Sequence, residues 1–215
     1  MRPASSRSPR LRPAYLAALC CALFALFTWQ VAAEGPLSAA DERLGRALFR
    51  TAPDAVTQPL ADLGAMAVAP PVLGLVAAWV VWRHRRWRHA AWALAAMAAV
   101  PAVVAPLKAL IARPGPLEPG TGWYPSGHTA TAMVAYVGAA LLLHPHTRRR
   151  WPLPVAAGLS LATGIGLVLR GYHWPLDVLG SWCLFGAVLV LLDRAVGGPL
   201  SSRGRRRSSA RTPGC

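Results

Sequence analysis

Six apolar runs, each bounded by charged or turn-forming residues, set the rhythm of this chain. They cover residues 14–33, 63–82, 90–112, 127–143, 153–169 and 176–192. A helix rises 1.5 Å per residue and needs about 20 residues to cross the hydrocarbon of a bilayer, so each run is long enough, or nearly so, to span one. The pattern predicts an all-α fold: a polytopic membrane protein built as a six-transmembrane-helix bundle. Pro70-Pro71 predicts a kink within the second run, and the third carries Pro101, Pro106 and, near its far end, Lys108. The fifth run is rich in Gly and Ala, which suits close helix contacts in lipid.

Between the first two runs, residues 34–60 are polar by comparison. Leu44, Leu48 and Phe49 recur at near-helical spacing among Asp41, Glu42 and Asp54, which predicts a short amphipathic helix on the extracytoplasmic membrane surface. The ends read as tails. Residues 1–13 form a disordered basic tail with Arg2, Arg7, Arg10 and Arg12, and residues 194–215 a second, Arg-rich one, leaving 14–193 as the membrane domain. Val31-Ala32-Ala33 before Glu34 also fits a signal-peptidase site, so the first run reads either as a span or as a cleavable leader.

Charge gives the runs an orientation. Seventeen of the 23 basic residues fall in the N-terminal tail, the second and fourth loops and the C-terminal tail, which six spans put on one side. The positive-inside rule makes that side the cytoplasm, with both termini in it. Six of the eight acidic residues, Glu34, Asp41, Glu42, Asp54, Asp62 and Glu118, fall on or near the other face. With 54% hydrophobic residues and basic residues in short blocks between apolar segments, a net charge of +15 does not point to nucleic acid. Three of the four cysteines, Cys20, Cys21 and Cys183, lie inside apolar runs and Cys215 ends the chain, so neither a disulfide framework nor a zinc spacing is present.

Under this topology the chemistry gathers at the outer face. Lys108, Arg113, Ser126, His128, Arg170, His173 and Asp177 come from three hairpin regions to one membrane surface, where idle ionisable groups are costly. The stretch Gly122 to His128, GWYPSGH, stands at the head of the fourth run, so Ser126, Gly127 and His128 occupy the first turn of a helix, where free N–H groups favour an anion. His173 and Asp177 are four residues apart, so one helical turn brings imidazole and carboxylate together. A phosphoryl group needs cations and N–H donors around its oxygens, a nucleophile in line and an acid for the leaving oxygen, and this set of side chains supplies all of them.

Three of these elements carry a family resemblance. Lys108-Ala-Leu-Ile-Ala-Arg-Pro, Pro125-Ser-Gly-His128 and His173-Trp-Pro-Leu-Asp177 resemble the signature motifs of the type 2 phosphatidic acid phosphatases, membrane lipid phosphatases related to vanadium haloperoxidases. The resemblance runs from about residue 40 to 193 and implies a phosphatase acting on a lipid phosphate or pyrophosphate whose tail stays in the bilayer. It implies His173 as the nucleophile forming a phosphohistidine, Asp177 as its orienting carboxylate and His128 as the acid. Lys108, Ser126 and Gly127 would hold the phosphate oxygens, with no metal and no cofactor.

Two departures stand out. The family's first-motif arginine falls on Gly115, with Arg113 two residues earlier; its third-motif Ser-Arg falls on Gly166-Leu167, with Arg170 three residues later than the arginine position. Arg113 and Arg170 are therefore expected to bind phosphate from displaced positions. The competing expectation is a catalytically weakened member that binds anionic head groups or a partner protein. A transporter fits less well, because inverted repeats are not visible and the polar groups lie at one surface rather than at the midplane.

Overall fold

The computed structural model describes residues 12–117, 120–147 and 151–195. Most of both expected tails, Glu118 and the block Arg148 to Arg150 lie outside the described residues. Among the described residues the fold is all-helical, with one isolated bridge between Pro114 and Thr121. Nine α-helices follow in order: α1 (Arg12–Ala32), α2 (Pro36–Leu48), α3 (Asp54–Asp62), α4 (Ala69–His84), α5 (Trp87–Ile111), α6 (Gly127–Ala132), α7 (Gly138–Leu143), α8 (Pro152–Leu169) and α9 (Pro175–Ala195).

Four helices, α1, α5, α8 and α9, are long and apolar enough to cross a membrane. The second expected span is shorter than its apolar run because Pro70 and Pro71 do not kink it. They open it, occupying the first turn of α4, where a missing N–H costs nothing and the fixed φ suits a helix start; residues 63–68 form turns instead. The fourth run is not one uniform helix. Its middle, Met133–Val137, widens into a π-helical turn between α6 and α7, and Tyr136 in that turn donates its hydroxyl to the Leu63 carbonyl at 2.6 Å.

The single amphipathic helix expected over 34–60 is two helices, and the first buries a small polar stripe beside its leucines rather than the leucines themselves. Helix α2 buries Ser38, Asp41 and Gly45, while Leu37 and Leu44 are exposed. The small polar face turns inward because Asp41 has partners there, whereas the outer leucines resemble the many apolar side chains on the outside of the bundle. Leu75, Trp82 and Leu110 are among these, each more than 70% exposed, as lipid-facing residues are.

Helix α1 packs along α9, α3 on α8, and α4 against α5 and α7. The α3–α8 contact depends on Gly166: a Cβ there would stand 2.5 Å from the Ala61 nitrogen and 2.7 Å from Leu60 Cβ. The position where the family resemblance expects serine is thus a close helix crossing. The core is aliphatic, with Leu73, Val80, Val134 and Phe185 buried between α4, α5, the fourth run and α9. A smaller cluster of Val31, Tyr124 and Leu176 sits at the end of the bundle that carries the site.

Candidate active site

The hinge before α6 is fixed from below by its own tyrosine. Tyr124 is fully buried, its hydroxyl 2.9 Å from that of Thr28 on α1, and its ring lies where a Cβ on Gly180 would have to go. Burial pushes its phenol up to about 12, so it stays neutral and acts as a hydrogen-bonded wedge. After the cis Tyr124–Pro125 peptide, Ser126 caps α6 by accepting from the Thr129 amide and hydroxyl. Two hydrogen bonds clip this hinge to the first two turns of α9: Ser126 N–H to the Asp177 carbonyl at 3.1 Å, and Ser181 Oγ to the Ser126 carbonyl at 2.7 Å. The Pro-Ser-Gly-His segment and the His173–Asp177 segment therefore move as one piece.

Four of the expected residues line one cavity of about 340 Å³: Lys108, Gly127, His128 and His173. Its longest wall is one face of α5, through Met97, Val100, Pro101, Val104 and Ala105, which descends from Lys108 for eleven residues, or about 16 Å of helix. The cavity thus joins a polar end, one ammonium and two imidazoles, to an apolar trough. Trp123 presents its ring edge-on to His173, with centroids 5.6 Å apart.

The imidazole–carboxylate pair forms as expected. His173 Nδ1 lies 3.1 Å from Asp177 Oδ2, which also accepts the Trp174 amide at 3.0 Å. With Nδ1 held by a carboxylate, the lone pair of a neutral His173 is at Nε2. Ser126 is fully buried and engaged as the helix cap, so its hydroxyl is not on the cavity wall.

The two displaced arginines, expected to bind phosphate, do not line this cavity. Arg113 is buried behind the site, donating Nη1 to Asp177 Oδ1 at 2.6 Å and Nη2 to Asp41 Oδ2 at 2.7 Å. Two carboxylates claim its single charge. Arg170 pairs with Asp54 and donates to the Tyr172 hydroxyl, tying the α8–α9 turn to α3; the guanidinium holds the Asp54 carboxyl below its ordinary value. The positions they were expected to stand in for are filled by packing. Trp123 lies against Gly115 so closely that any Cβ would collide with the indole, and Leu167 is a fully buried core residue.

Sequence reasoning missed Asp41 and Trp123. The signal for Asp41 was present in α2: Ser38, Asp41 and Gly45, at spacings of three and four, form a small polar stripe on one helix face. Leu44, Leu48 and Phe49 drew attention to the apolar residues that flank it. For Trp123 the sequence holds no cue beyond its place in the hinge.

Comparison with known proteins bears on this geometry. Residues 117–197, which contain the hinge, His128, His173 and Asp177, match the family model described as the PAP2 superfamily. That segment is similar to the PAP2 superfamily. Lys108 and Arg113 lie before the matched segment. Among solved structures, the fold is similar to the crystal structure of the first transmembrane PAP2 type phosphatidylglycerolphosphate phosphatase from Bacillus subtilis. The TM-score is 0.73 at 23% sequence identity, over 83% of this chain and 96% of that one. No curated protein matches the sequence.

Proposed function

We propose that this protein is a membrane phosphatase that removes a phosphate or pyrophosphate head group from a lipid. The observation that carries this reading is the composition of one cavity: Lys108, His128 and His173 at one end, and an apolar trough along α5 leading away from them. A lipid phosphate has the same two-part character. The PAP2 family match and the phosphatase named among similar structures support the reaction class.

In the proposed reaction His173 Nε2 attacks phosphorus while Asp177 on Nδ1 holds the tautomer and balances the imidazolium that forms. Lys108 and the Gly127 amide stabilise the phosphoryl oxygens, and His128 protonates the departing oxygen. Water then releases phosphate from the phosphohistidine. No metal takes part in this proposal. The proposal also includes six spans, with the fourth run and α4 completing the four long helices, both termini in the cytoplasm and the site at the extracytoplasmic end beside α2.

A second reading, a weakened member that binds anionic head groups, is favoured by one observation: Arg113 and Arg170 are both held by carboxylates away from the cavity, which leaves Lys108 as the cation on its wall. Phosphate release by purified protein from mono- and pyrophosphorylated lipids, with EDTA present, separates the two. The phosphatase reading expects release by the wild type and none by His173→Ala. Equal silence of both across the panel sinks it in favour of binding. A reporter fused after Leu117 tests the topology and should score as extracytoplasmic.

A further inference from the structure

Behind the cavity lies a closed ring of buried charge that the reaction scheme above does not use. Asp41, on α2, receives Arg113 Nη2 on Oδ2 and the Leu176 amide on Oδ1, the latter at 2.8 Å. Arg113 passes its other Nη to Asp177 Oδ1, and Asp177 turns its second oxygen to His173. Since Leu176 directly precedes Asp177, the ring starts and ends on the first turn of α9. Side-chain exposure is 3% at Asp41 and Arg113, 0% at Asp177 and 5% at His173. Trp174 seals it, with Gly45 against its ring and the Arg46 and Arg113 guanidinia over it.

Burying such groups is not needed for folding. Two carboxylates and an arginine in a dry interior cost desolvation that hydrophobic residues of similar volume would avoid, so their value for stability is weak. Their arithmetic is more telling. Asp41, Arg113 and Asp177 together carry one net negative charge, held by a planar fork that cannot turn from either carboxylate without losing the other. When His173 bonds to phosphorus its ring gains one positive charge.

We infer that Asp41 and Arg113 are positioning residues for His173: they fix the Asp177 carboxylate on Nδ1 and supply the excess negative charge that offsets the imidazolium. The inference rests on the proposed role of His173. Without Asp41 the unit is electrically neutral, and Arg113 turns its undivided attraction on Asp177. Asp41 also makes α2 part of the site, because one carboxylate joins that helix to the α9 amide beside the catalytic pair.

The test is Asp41→Asn, which keeps the shape and the acceptor for Leu176 but removes the charge and turns an amide NH2 towards Arg113 Nη2, so rates are taken per folded protein. In steady-state assays on a lipid phosphate, kcat falls on the order of 10- to 100-fold while KM stays within about twofold, because the charge acts on the transition state rather than on substrate. Arg113→Lys, which keeps the charge but loses the planar fork, lowers kcat in the same way. A fall explained entirely by a smaller folded fraction, or an unchanged kcat, overturns the inference.

A readout independent of turnover separates this from failure of the phosphatase reading. Imidazole 1H–15N signals of the detergent-solubilised protein, with His173 assigned from His173→Gln, report the hydrogen bond on its Nδ1 directly. Lys108 and His128 share its cavity, Asp177 faces its Nδ1 and Arg113 stands behind Asp177, and all four are the same in both proteins. Loosening the Asp177 carboxylate weakens the hydrogen bond on Nδ1, so the His173 Nδ1–H signal moves and exchanges with water faster in Asp41→Asn. An Nδ1–H signal that does not change contradicts the positioning role even if no substrate is ever found.

Discussion

Two glycines on α8 offer a controlled test of the packing, because the same substitution has opposite consequences at each. At Gly158 nothing lies within 4 Å of where a Cβ would be. Alanine there gains helix propensity, about 1 kcal/mol, and loses nothing. At Gly166 the new methyl would meet the Ala61 nitrogen at 2.5 Å, Leu60 Cβ at 2.7 Å and the Leu60 carbonyl carbon at 2.8 Å. These atoms belong to the α3 backbone or its first side-chain carbon, so no flexible tip can yield. The helices must part, and overpacking of this kind costs about 1–3 kcal/mol, to be set against the same propensity gain. In a chain of this length 1 kcal/mol moves Tm by about 2–4 °C, so Gly158→Ala melts a few degrees above wild type and Gly166→Ala at or several degrees below it. The separation between the two variants is expected to be about 2–12 °C. Thermal unfolding followed by circular dichroism in one detergent reads both. Equal Tm values for the two variants would show that α3 does not pack on α8 as described.

Other expectations follow from the site and the surface. Arg170→Ala, which breaks a pair with an exposed aspartate, lowers kcat/KM by less than about fivefold, whereas Lys108→Ala lowers it by at least about 100-fold; steady-state phosphate release compares them. Asp177→Asn presents an amide NH2 either to Arg113 or to the Trp174 N–H. It therefore destabilises the fold by about 3–5 kcal/mol as well as abolishing turnover, measurable by unfolding and by rate. His146 stacks on His84 with centroids 3.6 Å apart, and burial, then the neighbouring charges of His84, Arg86 and His89, hold its imidazole below the ordinary 6.5. The folded state thus disfavours its proton: stability is intact above the ordinary value and falls as pH drops through it towards the lowered one. His146→Gln flattens the loss of Tm between about pH 7 and about pH 5, and an unchanged slope rules this contribution out.

The all-helical, membrane-type architecture was legible because apolar runs are statements about solvent, and solvent acts on every residue. The hinge and the His173–Asp177 pair were legible for a different reason: both are local, a cap and a contact over four residues. What escaped the sequence depends on partners far along the chain. Pro70-Pro71 reads equally as a kink or a helix start until the 63–68 turns are seen. Asp41 lies 72 residues from Arg113 and 135 from Leu176, so the stripe it belongs to was visible but the partners that turn it inward were not. Arg113 and Arg170 had the correct sign and were near the expected positions, yet sign does not choose between a phosphate and a carboxylate. The buried acids of α2 and α9 and the Asp54 carboxylate on α3 decided that.

The central claim is that His173 takes the phosphoryl group, and covalent trapping tests it most directly. Wild-type protein turning over a lipid phosphate labelled at phosphorus is quenched in alkali within its first turnover, digested and mapped by mass spectrometry. The account predicts an acid-labile, alkali-stable label on the peptide carrying His173, and none in His173→Ala. Turnover with the label on another residue, or with no covalent label at any quench time, contradicts it.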